Sequence, residues 1–143
     1  NTQTNFTMTQ AGDIGIGDTS PSYKLDVTGT IRATADVIAY SDRRVKENIK
    51  TIDNALDKVT KLRGVSYTRK DIEDKSPKLG VIAQEVLDVL PEVVCKDNND
   101  KYSVAYGNMA GVFIEAIKEM KTEIETLKKE IITLKLNKNG KHI

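Results

Sequence analysis

Apolar positions recur along this chain in regular periods. Phe113, Ile117, Met120, Ile124, Leu127, Ile131 and Leu134 alternate steps of four and three without a break, the 3.5-residue repeat of a coiled-coil seam. A lone helix would leave that stripe in water, at roughly 1.5–3 kcal/mol per large side chain, so the helix is expected to take partners. With Ile117, Ile124 and Ile131 at position a, Glu123 and Glu130 fall at g and Lys121, Lys128 and Lys135 at e. Glu123 can then meet Lys128, and Glu130 can meet Lys135, of a parallel neighbour. Ile at a with Leu at d leans toward dimers, whereas long fibrous assemblies are often trimers, and the pattern alone leaves both open. The bland alternative is a helix packed on its own domain.

A second helix-period stripe runs through Val45, Ile49, Ile52, Leu56, Val59 and Leu62. "GVSYTR" then reads as a strand, and "KDIEDKSPK" as an exposed loop. "GVIAQEVLDVLPEVV" reads as an apolar turn into a short helix stopped by Pro91, and "DNNDKYSVAYGN" as a turn and one more alternating strand. The first 40 residues differ. "GDIGIGDTSPSYKLDVTGTIRATADVIAY" predicts short β segments at Lys24 to Val27 and Thr30 to Ala33, punctuated by Gly, Asp and Ser-Pro. Their apolar residues are too sparse to bury a core within one copy, which favours several chains sharing their faces. The expected organisation is therefore α+β in three zones: a glycine-rich β segment over 1–40, a compact α+β domain over 41–107, and a coiled-coil helix with a tail over 108–143.

The composition mainly narrows the alternatives. The chain has 143 residues, 38% hydrophobic and 30% charged, enough for one modest core with appendages. Net charge is +1, so nothing in the balance calls for nucleic acid or an anionic membrane. Residues 1–40 carry two Lys+Arg against four Asp, a net −2 that leaves +3 on the remainder. One cysteine, Cys95, and one histidine, His142, make neither a disulfide nor a metal site, so no cofactor is expected. No apolar run approaches a membrane span and no secretory pattern opens the chain. The chain opens on Asn1 and reads as a piece of something longer.

The stretch "IAYSDRRVKENI", residues 38–49, carries the candidate chemistry. Asp42 suits a helix N-cap, the stripe begins at Val45, and Lys46 lies in the first turns, where it can simply be solvated. A serine and a lysine can also form a hydrolytic pair, with a neutral amine as general base for the hydroxyl. Five residues of continuous helix turn through about 500° and leave the two side chains about 140° apart. Ser41 and Lys46 can therefore meet only if Ser41 precedes the helix, where Asp42 as cap would put it.

Three motifs in order, "SDRRVKENI" at 41–49, "GVIAQEVLDVLPEVV" at 80–94 and "YGNMAGVFIEAIKEMK" at 106–121, resemble the C-terminal intramolecular chaperone and autoprocessing peptidase domain of phage tail fibres, tailspikes and endosialidases. A related domain occurs in membrane-bound transcription factors that resemble myelin regulatory factor. The upstream "GIGDTSPSYKLDVTGTIRA" is similar to the β stalk that precedes the domain in phage fibres. The resemblance implies Ser41 as nucleophile, Lys46 as base, cleavage between Tyr40 and Ser41, a capping and orienting role for Asp42, and an ion pair for Arg44. Tyr67 to Arg69, where many members carry an extra aromatic residue, departs from the pattern. The resemblance further implies a homotrimer whose partner is itself and whose folding client is the upstream fibre segment, with no nucleic acid or membrane. Such a precursor would be assembled in the host cytoplasm, with the chaperone part absent from the mature virion fibre. Two other readings stay open: a trimerisation module at a fibre tip that never cleaves, and the processed domain of a membrane-tethered transcription factor.

Overall fold

A computed structural model describes residues 6–139, so His142 and the last four residues of the expected tail lie outside the described part. The protein is mixed α+β with a long C-terminal helix, and it divides into two compact units. The first runs to Ile49 and includes Asp97–Asn99; the second takes Lys50–Lys96 and the chain from Asp100 onward.

The first unit holds one small sheet of three strands, β1 (Phe6–Met8), β2 (Ile14–Ile16) and β3 (Leu25–Val27). β2 is central, antiparallel to β1 with Thr7 opposite Gly15, and parallel to β3 with Gly15 opposite Asp26. Gly15 is required there, because a Cβ at that position would collide with the Asp18 carbonyl. Lys24 Nζ ties the sheet's loops together by donating to the Ala11 carbonyl at 2.9 Å and pairing with Asp13. The expected strand at Lys24 to Val27 is present as β3, whereas Thr30 to Ala33 form no strand. Among the described residues no strand pairs with that segment to satisfy its backbone groups, and isolated strands are not stable in water.

The second unit is built on α1 (Ala55–Lys61), β4 (Val65–Tyr67), β5 (Lys78–Gly80), α2 (Ala83–Leu87), β6 (Val94–Lys96), β7 (Tyr102–Val104) and α3 (Ala110–Asn139). β4 pairs antiparallel with β5, and β6 with β7. Pro91 stops the α2 segment and then opens a 3-10 turn over Pro91–Val93, where its missing N–H costs nothing. β5 straddles the end of the segment read as loop and the start of the one read as an apolar turn, and only its three residues pair. Ala55, Val86, Leu90, Val93, Met109, Val112 and Ala116 form the buried core, with Ile52, Leu56 and Val59 half-buried against it.

The helix expected from Val45 to Leu62 is interrupted. Only Ala55–Lys61 is α-helical, and Arg43–Val45 is a single 3-10 turn. The breaks sit at Asn48 (φ 51°) and Asn54 (φ 49°), both in the left-handed region that asparagine tolerates and a helix does not. Because Asn54 is left-handed, it cannot cap α1 with its own side chain. The orphan N–H groups of Ala55 and Leu56 instead donate to the Glu119 carboxylate on α3, at 3.0 and 2.7 Å.

Two adjacent stripes divide the work of α3. Val112 and Ala116, with Met109 just ahead of the helix, face the core, so the bland alternative of a helix packed on its own domain holds for its first turns. The heptad stripe is exposed over its whole length, from Phe113 at 42% and Ile117 at 62% to Leu134 at 61%. From Met120 to Lys138 every side chain is exposed.

Candidate active site

Ser41 and Lys46 meet. Asp42 adopts an extended conformation (φ −64°, ψ 134°) and its carboxylate accepts the Arg44 N–H at 2.8 Å, which turns the chain into one tight 3-10 turn. Val45 N–H donates to the Asp42 carbonyl at 3.2 Å and Lys46 N–H to the Arg43 carbonyl at 3.1 Å, closing it. Lys46 then leaves in an extended conformation (φ −116°, ψ 136°). Ser41 and Lys46 thus lie on either side of one short turn, outside any continuous helix, so the helical angle between them does not apply, and Lys46 Nζ donates to Ser41 Oγ at 2.7 Å. The cap at Asp42 was legible in the sequence; the turn it caps is 3-10 rather than α.

Arg44 reinforces the same turn. Its guanidinium clamps the Asp42 carboxylate, Nε at 3.1 Å from both oxygens and Nη2 at 2.6 Å from Oδ2. This contact, with the backbone hydrogen bond from Arg44, holds the Asp42 carboxyl below the ordinary carboxylate range and raises the Arg44 guanidinium. Both groups stand in water, so the pair orients the turn more than it stabilises the fold. Among the hydrogen bonds of this turn, Ser41 Oγ takes the one from Lys46, not from either of these groups.

Ser41 and Lys46 are exposed, and Tyr40, on the other side of the intervening peptide bond, is fully so. In the observed pair the amine is the donor. For the lysine to act as a base it must be neutral and accept the hydroxyl proton, which requires a drier setting than open water. Among the described residues, no cluster of three or more His, Cys, Asp or Glu could hold a metal ion, and no helix is long and apolar enough to cross a membrane. Cys95 on β6 is free and exposed.

Residues 41–95, beginning at Ser41, match the family described as "Chaperone of endosialidase". The long tail fiber protein Gp37 of Enterobacteria phage M1 is 36% identical over 115 residues, covering 75% of this chain and 46% of the relative. Its counterpart in Enterobacteria phage K3 is 34% identical over 104 residues, covering 68% of this chain and 8% of the relative. Myelin gene regulatory factor-like A of Dictyostelium discoideum is 30% identical over 142 residues, covering 85% of this chain and 15% of the relative. The chain thus spans under half the length of these relatives.

Proposed function

The chain belongs to the endosialidase-chaperone family through residues 41–95 and is related to phage tail fibre proteins, and from that premise we propose that it is a trimeric folding template that frees itself from its fibre by cutting between Tyr40 and Ser41. The observation that carries the chemical part is the 2.7 Å contact of Lys46 Nζ with Ser41 Oγ, one residue past that peptide bond.

Three copies join through the exposed seam of Ile117, Met120, Ile124, Leu127, Ile131 and Leu134. Joining raises the effective concentration of the preceding β segments and sets their register. A glycine-rich stalk with non-local strand pairing is slow to form and open to misassembly without such a template. Assembly also covers the exposed turn at Ser41, and desolvation lowers the amine's affinity for its proton.

Lys46 Nζ then accepts the Ser41 hydroxyl proton while Oγ attacks the Tyr40 carbonyl carbon. The tetrahedral species collapses with loss of the C–N bond to the Ser41 nitrogen, which takes up a proton delivered by Lys46. An ester joins Tyr40 to Ser41 Oγ, and water hydrolyses it to a Tyr40 carboxylate and a free Ser41 hydroxyl. Asp42 and Arg44 keep the turn in shape. Release of residues from 41 onward separates the fibre from its template, so the finished fibre is protected by a slow unfolding step.

The test is intact mass under denaturing conditions for wild type, Ser41→Ala and Lys46→Ala. Splitting of wild type at 40/41, with both variants whole yet oligomeric, supports the proposal. A wild-type oligomer that stays whole refutes the cleavage and leaves a non-cleaving trimerisation module.

A further inference from the structure

A cleft of about 430 Å³ opens on the second unit, lined by Tyr67 and Arg69 after β4, Ile82 before α2, and Tyr102, Ser103 and Tyr106 along and after β7. Gly80 makes its wall possible: a Cβ there would stand 2.7 Å from Tyr106 Oη and 3.3 Å from the Tyr67 ring, so both tyrosines close on bare backbone. Tyr106 Oη is fixed by the Val81 N–H at 3.4 Å. β4–β5 and β6–β7 are each two-stranded, so unpaired strand edges stand beside the cleft. Nothing in the chemistry at Ser41 uses this surface.

We propose that the cleft receives residues 36–40 of a second copy of this chain, and so holds the segment that leads into the Tyr40–Ser41 bond. Val37, Ile38 and Tyr40 are 86%, 88% and 100% exposed and belong to no helix or strand. Three such side chains within four residues make an exposed apolar stretch of the kind that marks an interaction site. In an extended segment Asp36, Ile38 and Tyr40 point to one side. The cleft offers each a match. Its volume, in the lower part of the ~300–1,000 Å³ range of binding pockets, accommodates one branched and one aromatic side chain, and the tyrosine rings offer Tyr40 edge and face contacts. Arg69 gives Nε and Nη2 to Asp71, which leaves Nη1 of its five-donor fork for the Asp36 carboxylate. The net −2 of residues 1–40 against +3 on the rest favours the same pairing between copies. The inference rests on the assembly half of the proposed function and deepens it: each copy would present its neighbour's scissile segment.

The test replaces Tyr40 by a benzophenone-bearing phenylalanine in the full Ser41→Ala chain, and irradiates oligomers mixed from isotopically heavy and light copies. The expected cross-links join position 40 of one isotope to peptides carrying 67–69, 81–84 or 102–106 of the other. Ser103→Trp, which fills the cleft from an exposed position, should cut their yield at least tenfold with the oligomer retained. Should that variant fail to fold, Arg69→Ala serves as the second probe, with a severalfold loss expected. Cross-links to any other surface, links confined to one copy, no link in an intact oligomer, or yields indifferent to both substitutions would overturn the proposal. The readout needs no cleavage. A cleaving wild type without the cross-link therefore sinks only the docking, and a cross-linking chain whose wild type stays whole sinks only the chemistry.

Discussion

Removing the Glu119 carboxylate should uncap α1 from a distance. Its two oxygens take the N–H groups of Ala55 and Leu56, and Asn54 offers no side-chain substitute. Loss of an N-cap costs about 0.5–2 kcal/mol, and hydrogen bonds to a charged group contribute about 1.5–3 kcal/mol each. The contacts are part-buried, so water can partly replace the lost acceptor, and we expect Glu119→Ala to lose about 2 kcal/mol on balance. For a unit of this size that corresponds to a fall of roughly 10 °C in Tm. Glu119→Gln, with one amide oxygen to share, should lose about half as much. The assay is urea and thermal unfolding by circular dichroism at one fixed protein concentration, since association itself adds stability. Lys118→Ala is the control; its partner Glu115 lies on the same helix and its side chain is exposed, so it should stay within about 0.5 kcal/mol of wild type. If Glu119→Ala also stays within 0.5 kcal/mol, the cap does not hold α1 and the reasoning fails.

Ile124→Asp should weaken association at least tenfold per copy, because each buried seam side chain contributes about 1.5–3 kcal/mol; sedimentation at several concentrations reads this, and an unchanged oligomer would refute the seam. Gly80→Ala should push Tyr106 off Val81 and lower stability by about 1 kcal/mol, measured by urea unfolding; equal stability would mean the wall is looser than the close approach implies. Asp71, hydrogen-bonded and charge-paired with Arg69, has its carboxyl lowered to about 2. A depressed carboxylate contributes stability that is fully present above its unfolded value of 3.8 and is lost as pH falls through about 2. An NMR titration of Asp71 should therefore give a midpoint near 2 that rises in high salt, and a midpoint near 3.8 in dilute buffer would show that the ion pair does not form in solution.

The parts of the fold that were legible in the sequence are those with a local cause. The heptad stripe announces α3, and Asp42 announces a cap that frees Ser41 to lie before the turn. Where a local signal competes with a tertiary one, the reading goes astray. Val45, Ile49, Ile52 and Leu56 keep a helical period, yet two left-handed asparagines divide them; no propensity rule marks Asn48 and Asn54 as breaks in advance. The Glu119 cap joins residues 63 and 64 positions apart, and nothing near Ala55 in sequence reveals it. The cleft is likewise non-local, although Gly80 ahead of an apolar run, with Tyr102 and Tyr106 four apart, was the available hint. The meeting of Ser41 and Lys46 was allowed by spacing and required the turn to be seen.

The uneven reach of α3 has a consequence for the order of events in time. Among the described residues Glu119 is the last of α3 that is not exposed, and some 20 residues, about 30 Å of helix, run on to Asn139 with every described side chain exposed. Helical turns form within a microsecond or so, long before distant strands find each other. Under the proposed assembly, neighbouring chains would zip along this exposed stretch of α3 while the upstream segments are still unstructured, and the zipper would then close back toward Glu119, the residue that grips α1. In the proposed assembly the long helices would meet first, the compact parts second and the strands last, so each copy would take its alignment from α3.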